Sequence, residues 1–326
     1  MIDLRSDTVT KPTAAMLAAM ATAEVGDEQF LEDPTTNALQ ERMASLLGHE
    51  AALFFPSATM ANQAALRAQT TPGSMLLAEE RTHILIYEWG GPAIHSGLVM
   101  RGVPAEAGVL TPAQIESEED LGRGGIVVLE NTHRSAGGRI WPLDAFAAAV
   151  AAARERGAAV HLDGARLLNA AVAAGQPPSA WAALADSATI CFSKGLGCPL
   201  GAILAGSADM IERAWNAKYL LGGALRQSGV VAAAALYALD HHVERLADDH
   251  ARARRLADAV GGEAETNFVA ISDAPGALER LQERGILLDG LRPGYLRAVT
   301  HLDISDDDVD EAIEIIPQVL EPRVHA

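Results

Sequence analysis

The chain has 326 residues, with 43 acidic against 25 basic side chains and a formal net charge of −18. That length supports more than one domain, and the charge argues against nucleic acid or an anionic membrane as a partner. Its two cysteines, Cys191 and Cys198, match neither a zinc-ligand spacing nor a disulfide framework, no apolar run reaches the ~20 residues of a membrane span, and no secretory signal opens the sequence, so a cytoplasmic protein without metal-ligating residues in these motifs is expected.

A helix is predicted over 12–23, with Thr10 as its cap. The polar stretch 26–37 reads as a loop feeding a helix over 36–47, where Leu39, Met43, Leu46 and Leu47 recur at helical spacing and Gly48 supplies the stop. An apolar strand over 51–55 ends at Pro56-Ser57-Ala58-Thr59, after which 60–68 is again helical. Short apolar runs at 75–78, 98–101, 126–130, 158–162, 189–192 and 202–205 then alternate with helical segments such as 143–156, the pattern of a parallel α/β sheet. Beyond a long helical region over 229–260, a strand at 267–272, a helix near 275–284, a strand at 295–301 and a helix over 306–320 suggest a small α+β unit. The expected fold class is therefore α/β, with a large domain over 1–240 and a small C-terminal α+β domain over 241–326.

Two of these strands run into charged residues. The strand at 158–162 ends on Asp163, and the strand at 189–192 leads through Ser193 to Lys194. Open α/β sheets place ligands at the carboxyl ends of their strands. An aspartate and a lysine on that edge are what a pyridoxal phosphate enzyme needs: the lysine amine condenses with the aldehyde, and the aspartate keeps the pyridine nitrogen protonated. The small neighbours of Lys194 would admit a flat ligand. Arg166 lies close enough to Asp163 to enter the same cavity, or to form a local ion pair with it. The strand-to-helix turn at Ser57-Ala58-Thr59 reads as an anion site for a phosphate or as an ordinary N-cap. His133 follows the strand at 126–130 and so sits at its presumed carboxyl end, whereas His83 is a lone histidine. Neither a phosphate-binding P-loop nor a dinucleotide fingerprint occurs, since Leu200 stands where a third glycine after Gly195-Leu196-Gly197 would be needed.

Ordered along the chain, Leu4-Arg5-Ser6-Asp7-Thr8-Val9-Thr10, Gly26-Asp27-Glu28, Glu32-Asp33-Pro34-Thr35, His83-Ile84 with Tyr87-Glu88, Glu130-Asn131-Thr132-His133, His161-Leu162-Asp163-Gly164-Ala165-Arg166, Ser193-Lys194-Gly195-Leu196-Gly197, Gly222-Gly223 with Arg226-Gln227, and Val299-Thr300-His301 resemble the low-specificity L-threonine aldolases. These belong to the aspartate-aminotransferase-like superfamily of pyridoxal phosphate enzymes. The resemblance implies a transferase-like large domain with a mainly parallel seven-stranded sheet, and an N-terminal arm that reaches the active site. It implies that Lys194 attaches the cofactor, Asp163 pairs with its pyridine nitrogen and His83 stacks on its ring. Ser57, Ala58 and Thr59 would line the phosphate cup, joined by Arg226 from a neighbouring subunit of a homo-oligomer, a dimer at least and a tetramer by resemblance. Ser6, Arg166 and Arg297 would grip the substrate carboxylate, Tyr87 would approach the substrate, and His83 and His133 would handle its β-hydroxyl proton. The implied reaction cleaves an L-3-hydroxy-α-amino acid to glycine and an aldehyde. Another lyase reaction on the same scaffold, or a non-catalytic amino-acid sensor, are the alternative readings. The sequence departs from the family pattern at Ala58 (usually glycine), at Lys218-Tyr219 (usually Arg-Lys), at Ala224-Leu225 (usually Gly-Met), at Cys198 and at Arg134, where an asparagine usually follows the histidine.

Overall fold

The computed structural model describes residues 1–320. Seven strands form one sheet in the order β2-β8-β7-β6-β5-β3-β4, comprising β2 (Ala51–Phe55), β3 (Met75–Glu79), β4 (Val99–Val103), β5 (Ile126–Glu130), β6 (Ala159–Asp163), β7 (Ser187–Cys191) and β8 (Ala202–Gly206). Every neighbouring pair is parallel except those made by β8, which runs antiparallel to both β2 and β7. The sheet is mainly parallel and seven-stranded, as expected. Strands such as Ile126-Val127-Val128-Leu129 are apolar throughout because helices cover both faces.

Alternation along β2 shows the two layers. Leu53 and Phe55 pack with alanines of α3 (Ala58–Gln69) and with Met210 and Ala214 of α10 (Ala208–Leu220). Phe54 faces the opposite core, built from α1 (Ala14–Ala21), α2 (Pro34–Leu47), α7 (Leu143–Glu155), α8 (Leu167–Ala174), α9 (Ser179–Ala182) and α11 (Gly229–His241). The short helices α4 (His83–Ile86), α5 (Gly91–Ser96) and α6 (Pro112–Glu116) lie in the connections that follow β3 and β4.

A second core joins α12 (Leu246–Val260), α13 (Ala277–Glu283) and α14 (Asp306–Leu320) to the antiparallel sheet β11-β12-β9, made of β9 (Phe268–Ser272), β11 (Asp289–Arg292) and β12 (Tyr295–Val299). Ile2 and Leu4 belong to this core, because β1 (Ile2–Asp3) pairs in parallel with β10 (Ile286–Leu287). Among the described residues, no helix is long and apolar enough to cross a membrane.

Three local expectations are corrected. Thr13, not Thr10, caps α1, its Oγ1 accepting from Met16 N at 3.2 Å. Pro12 disfavours helical backbone at Lys11, so the helix begins beyond it and Thr10 instead donates to Asp7 O at 2.6 Å. Helix α2 starts at Pro34, a favoured first position, with the Asp33 carboxylate accepting from Thr36 N. The helical region 229–260 is two helices, broken where buried His242 turns Nδ1 to Leu196 O at 2.7 Å.

Candidate active site

The carboxyl ends of β5, β6 and β7, the turn after β7 and the N-terminus of α3 meet around a narrow cavity. Asp163, the last residue of β6, lies in register with Glu130 on β5 and Thr189 on β7. Lys194 reaches the same cavity from the turn after β7, which closes through a Gly197 N to Lys194 O bond of 2.8 Å. That turn requires Gly197 at φ +77°, a left-handed conformation that suits glycine. Ala58, in the first turn of α3, lines the cavity, while Ser57 caps that helix by accepting from Met60 N at 3.2 Å. The other backbone N–H groups of the first turn have no intrahelical acceptor, which makes this end suited to an anion.

The acidic side of the cavity is a hydrogen-bonded network. Asp163 Oδ1 accepts from Ala165 N at 3.2 Å and Oδ2 from Asn62 Nδ2 at 3.0 Å. Asn62 Nδ2 also donates to Glu88 Oε1 at 2.9 Å, and its Oδ1 lies 3.1 Å from His161 Nε2. Burial pushes His161 down to about 4, so the ring is neutral and donates through Nε2, with Nδ1 accepting from Ser187 Oγ at 2.8 Å. Glu88, buried, accepts from Gln63 at 2.6 Å and meets His83 Nδ1 at 3.0 Å. Burial lowers the His83 pKa, but the Glu88 hydrogen bond and the Asp163, Glu88 and Glu130 charges outweigh it and leave the pKa above its ordinary value.

Arginines gather on the other side. Arg166 donates from Nε and Nη2 to both oxygens of Asp7, at 2.7 and 2.5 Å. Asp7 is itself held down to about 2: burial opposes this, and the Arg166 guanidinium overcomes it. Arg297 stands on the same Phe268 ring as Arg166, with Cζ atoms 5.9 and 4.8 Å from its centroid. Only Nη2 of Arg297 finds a carboxylate, Asp289 at 2.7 Å; its buried Nε and Nη1 have no acceptor among the described residues. Such buried donors call for an anionic ligand.

The model of the beta-eliminating lyase family matches residues 3–268. The low specificity L-threonine aldolase of Escherichia coli (strain K12) is 39% identical over 327 residues, covering 95% of this chain and 97% of that relative. Low-specificity L-threonine aldolase 1 of Arabidopsis thaliana is 36% identical, covering 98% of this chain and 96% of its own length. The chain belongs to the threonine aldolases of the beta-eliminating lyase family. Among solved structures, a threonine aldolase of Leishmania major shares the fold, with a TM-score of 0.83 at 18% identity, 98% of this chain and 100% of that one being covered.

Set on this threonine aldolase framework, the residues singled out from the sequence fall into three groups. Lys194, Asp163, His83, Arg166 and Ala58 line one cavity. Arg297, Ser6, Tyr87, Ser57 and Thr59 lie around it: Ser6 caps a short turn beside Asp7, with Thr8 N donating to its Oγ at 3.2 Å, and the Tyr87 ring lies 5.4 Å from that of His83. His133 and Arg226 lie outside. His133 lines a neighbouring, more open depression, with Nε2 2.9 Å from Glu79 Oε2 but poorly aligned for a hydrogen bond. Burial lowers the His133 pKa, yet the Glu130 and Glu79 charges keep it above its ordinary value. β5 ends in a turn that directs His133 toward Glu79 on β3, and the Glu130 and Asp163 charges act on both His133 and His83. Arg226 is exposed, its side chain outside the cavity. Sequence reasoning missed the buried set Asn62, Glu88, His161 and Asp7. Asp7, Glu88 and His161 stand within the family motifs but carried no assigned role, and Asn62 lies outside them.

Proposed function

We propose that this protein cleaves L-3-hydroxy-α-amino acids, L-threonine and L-allo-threonine among them, to glycine and an aldehyde, using pyridoxal 5′-phosphate. The observation that carries this reading is one cavity holding Lys194, the doubly anchored Asp163, His83 and Arg166, with the acceptor-free Arg297 donors beside it. The residues fit the cofactor: Lys194 would attach it, Asp163 would face its pyridine nitrogen, His83 would cover its ring, and Ser57, Ala58 and Thr59 at the start of α3 would take its phosphate. When bound, the cofactor supplies an electron sink for the charge left on Cα.

The chain's own groups do the rest. Arg297, Arg166 and Ser6 hold the substrate carboxylate, which fixes the direction of the Cα–Cβ bond; such positioning removes a large entropic part of the barrier. With Nδ1–H donated to Glu88, His83 keeps Nε2 free to take the β-hydroxyl proton, a contribution of ~10²–10⁴-fold for a well-placed base. The arginines therefore select the bond, and His83 moves the proton.

The molecule is a cytoplasmic homo-oligomer in this reading, a tetramer by family likeness. Support comes from exposed Phe30, Leu31, Trp89 and Leu220, and from Arg226, which would complete the phosphate cup of a neighbouring subunit. Incubation of the cofactor-loaded protein with L-threonine, L-allo-threonine and L-phenylserine should yield glycine and the matching aldehyde; a 2-oxo acid with ammonia would mean elimination instead. Lys194→Ala should leave no cofactor mass on the borohydride-reduced protein and should abolish nearly all turnover. Normal turnover in that variant would overturn the site.

A further inference from the structure

Arg134 lines the cavity alongside Lys194, His83 and Arg166. Its backbone N donates to Glu130 Oε1 at 2.7 Å, which anchors the residue beneath its own side chain. The guanidinium then lies over Tyr87, with Cζ 4.3 Å from the ring centroid and Nη1 donating to the Tyr87 hydroxyl at 2.5 Å. Among the described residues it forms no ion pair with any carboxylate. Glu130, the nearest by connectivity, spends its oxygens on the backbone N–H groups of Arg134 and His83.

Counting charges around the cavity shows why this matters. Asp7 answers Arg166, and Asp289 answers one edge of Arg297. Glu88 answers His83, and Asp163 is the acceptor set aside for the cofactor nitrogen. The acceptor-free edge of Arg297 answers one substrate carboxylate. Arg134 remains as the cavity guanidinium that touches no carboxylate, since Glu130 is held by backbone N–H groups, and its charge is felt at Arg297: burial, and then Arg134, lower the Arg297 pKa. A methyl side chain such as that of threonine offers a guanidinium no acceptor. A second carboxylate on the substrate does, in the planar geometry that arginine forks match.

Resting on the functional reading above, we propose that Arg134 is a specificity-determining residue that selects 3-hydroxy amino acids whose side chain ends in a carboxylate. The smallest is L-3-hydroxyaspartate. Its cleavage balances as follows: the Cα–Cβ bond breaks, the hydroxyl proton passes to His83 Nε2, the hydroxyl oxygen becomes the aldehyde oxygen of glyoxylate, and Cα gains a proton to give glycine.

Two measurements test this. In the first, isothermal titration of the cofactor-loaded protein compares L-aspartate with L-alanine, neither of which has a β-hydroxyl to cleave. Wild type should bind aspartate about 10- to 100-fold tighter than alanine, the range of a charge-assisted contact. Arg134→Asn should erase that ratio, and Arg134→Lys, which keeps the charge without the fork, should retain part of it. In the second, kcat/KM for both diastereomers of L-3-hydroxyaspartate is compared with that for L-threonine. At least one diastereomer should exceed threonine in wild type and fall below it in Arg134→Asn. Equal binding of aspartate and alanine by wild type, or an Arg134→Asn protein that keeps the preference, overturns the assignment. Failure to cleave any hydroxy amino acid overturns the functional reading instead, while the aspartate-to-alanine ratio still judges Arg134.

Discussion

The Glu88 carboxylate accepts from Asn62, Gln63 and His83, and because it can only accept, it fixes the His83 proton on Nδ1. The catalytic work assigned to His83 then depends on an unprotonated Nε2. A pKa raised above the ordinary 6.5 means that the ring gains its second proton at a higher pH than a free histidine would. The acid limb of kcat/KM should therefore lie above pH 6.5 and not below it. Glu88→Gln removes that carboxylate's charge while burial and the Asp163 and Glu130 charges remain, so the limb should move to lower pH. An unmoved limb would show that His83 is not the titrating base. This network was illegible from the sequence because it draws Asn62 from α3, Glu88 from beyond α4 and His161 from β6, elements whose contact is set by tertiary packing. Asp163 and Lys194 were legible because the first ends an apolar run and the second follows another by one residue, so strand character fixes the sheet edge at which each lies.

Between elements, the segment that carries Glu28 is tied to the C-terminal end of α10. Lys218, fully buried, makes an ion pair with Glu28 and lies 5.5 Å from the Trp215 ring and 5.7 Å from that of Phe55. Glu28 N in turn bonds Arg226 O at 2.9 Å, and Asp33 holds Gly229 N at 2.9 Å, so this pairing also sets the loop that bears Arg226. Lys218→Met would strand a buried carboxylate and should cost about 3–5 kcal/mol in urea unfolding. Lys218→Arg should cost far less, and the Glu28→Gln, Lys218→Met pair should recover much of the loss. A Lys218→Met protein as stable as wild type would show that the pair holds nothing. At this scale most strands and helices were readable from periodicity. The division of the helical region 229–260 was not, because no glycine or proline marks it: His242 creates the break through a contact with Leu196, 46 positions away. The two-residue strands β1 and β10 were too short to leave any alternation.

For the molecule as a whole, we propose two units that meet near Asp240, the smaller one claiming the first residues of the chain through Ile2 and Leu4. Exposed apolar side chains cluster where Glu28 and Lys218 join the 28–31 turn to the end of α10: Phe30 is 73% exposed, Leu31 63% and Leu220 64%. Leu31 also adopts a left-handed φ of 58°, and Trp89, 92% exposed, one of 52°, backbone states that persist when surrounding contacts enforce them. Subunit association would supply such contacts, and with them the partner's copy of this arginine-bearing loop. Dilution followed by light scattering and activity should show turnover lost together with the oligomer, and Arg226→Ala should weaken cofactor binding without changing subunit mass. A fully active monomer would overturn this account.

The parallel pairing of β1 with β10 has a further consequence, for the order in which the molecule is made. Ile2 bonds to Gly285 O and aligns with Ile286, so the first strand emerges from the ribosome almost a whole chain ahead of its partner. At ~5–20 residues per second, that strand waits on the order of 15–60 s. Asp7, a few residues further on, shares the wait, because Asn267, which hydrogen-bonds its Oδ2, is also translated late. The side of the cavity that carries Arg297 is thus assembled only near the end of translation, and a chain made as far as Lys194 holds Arg166 without the second arginine.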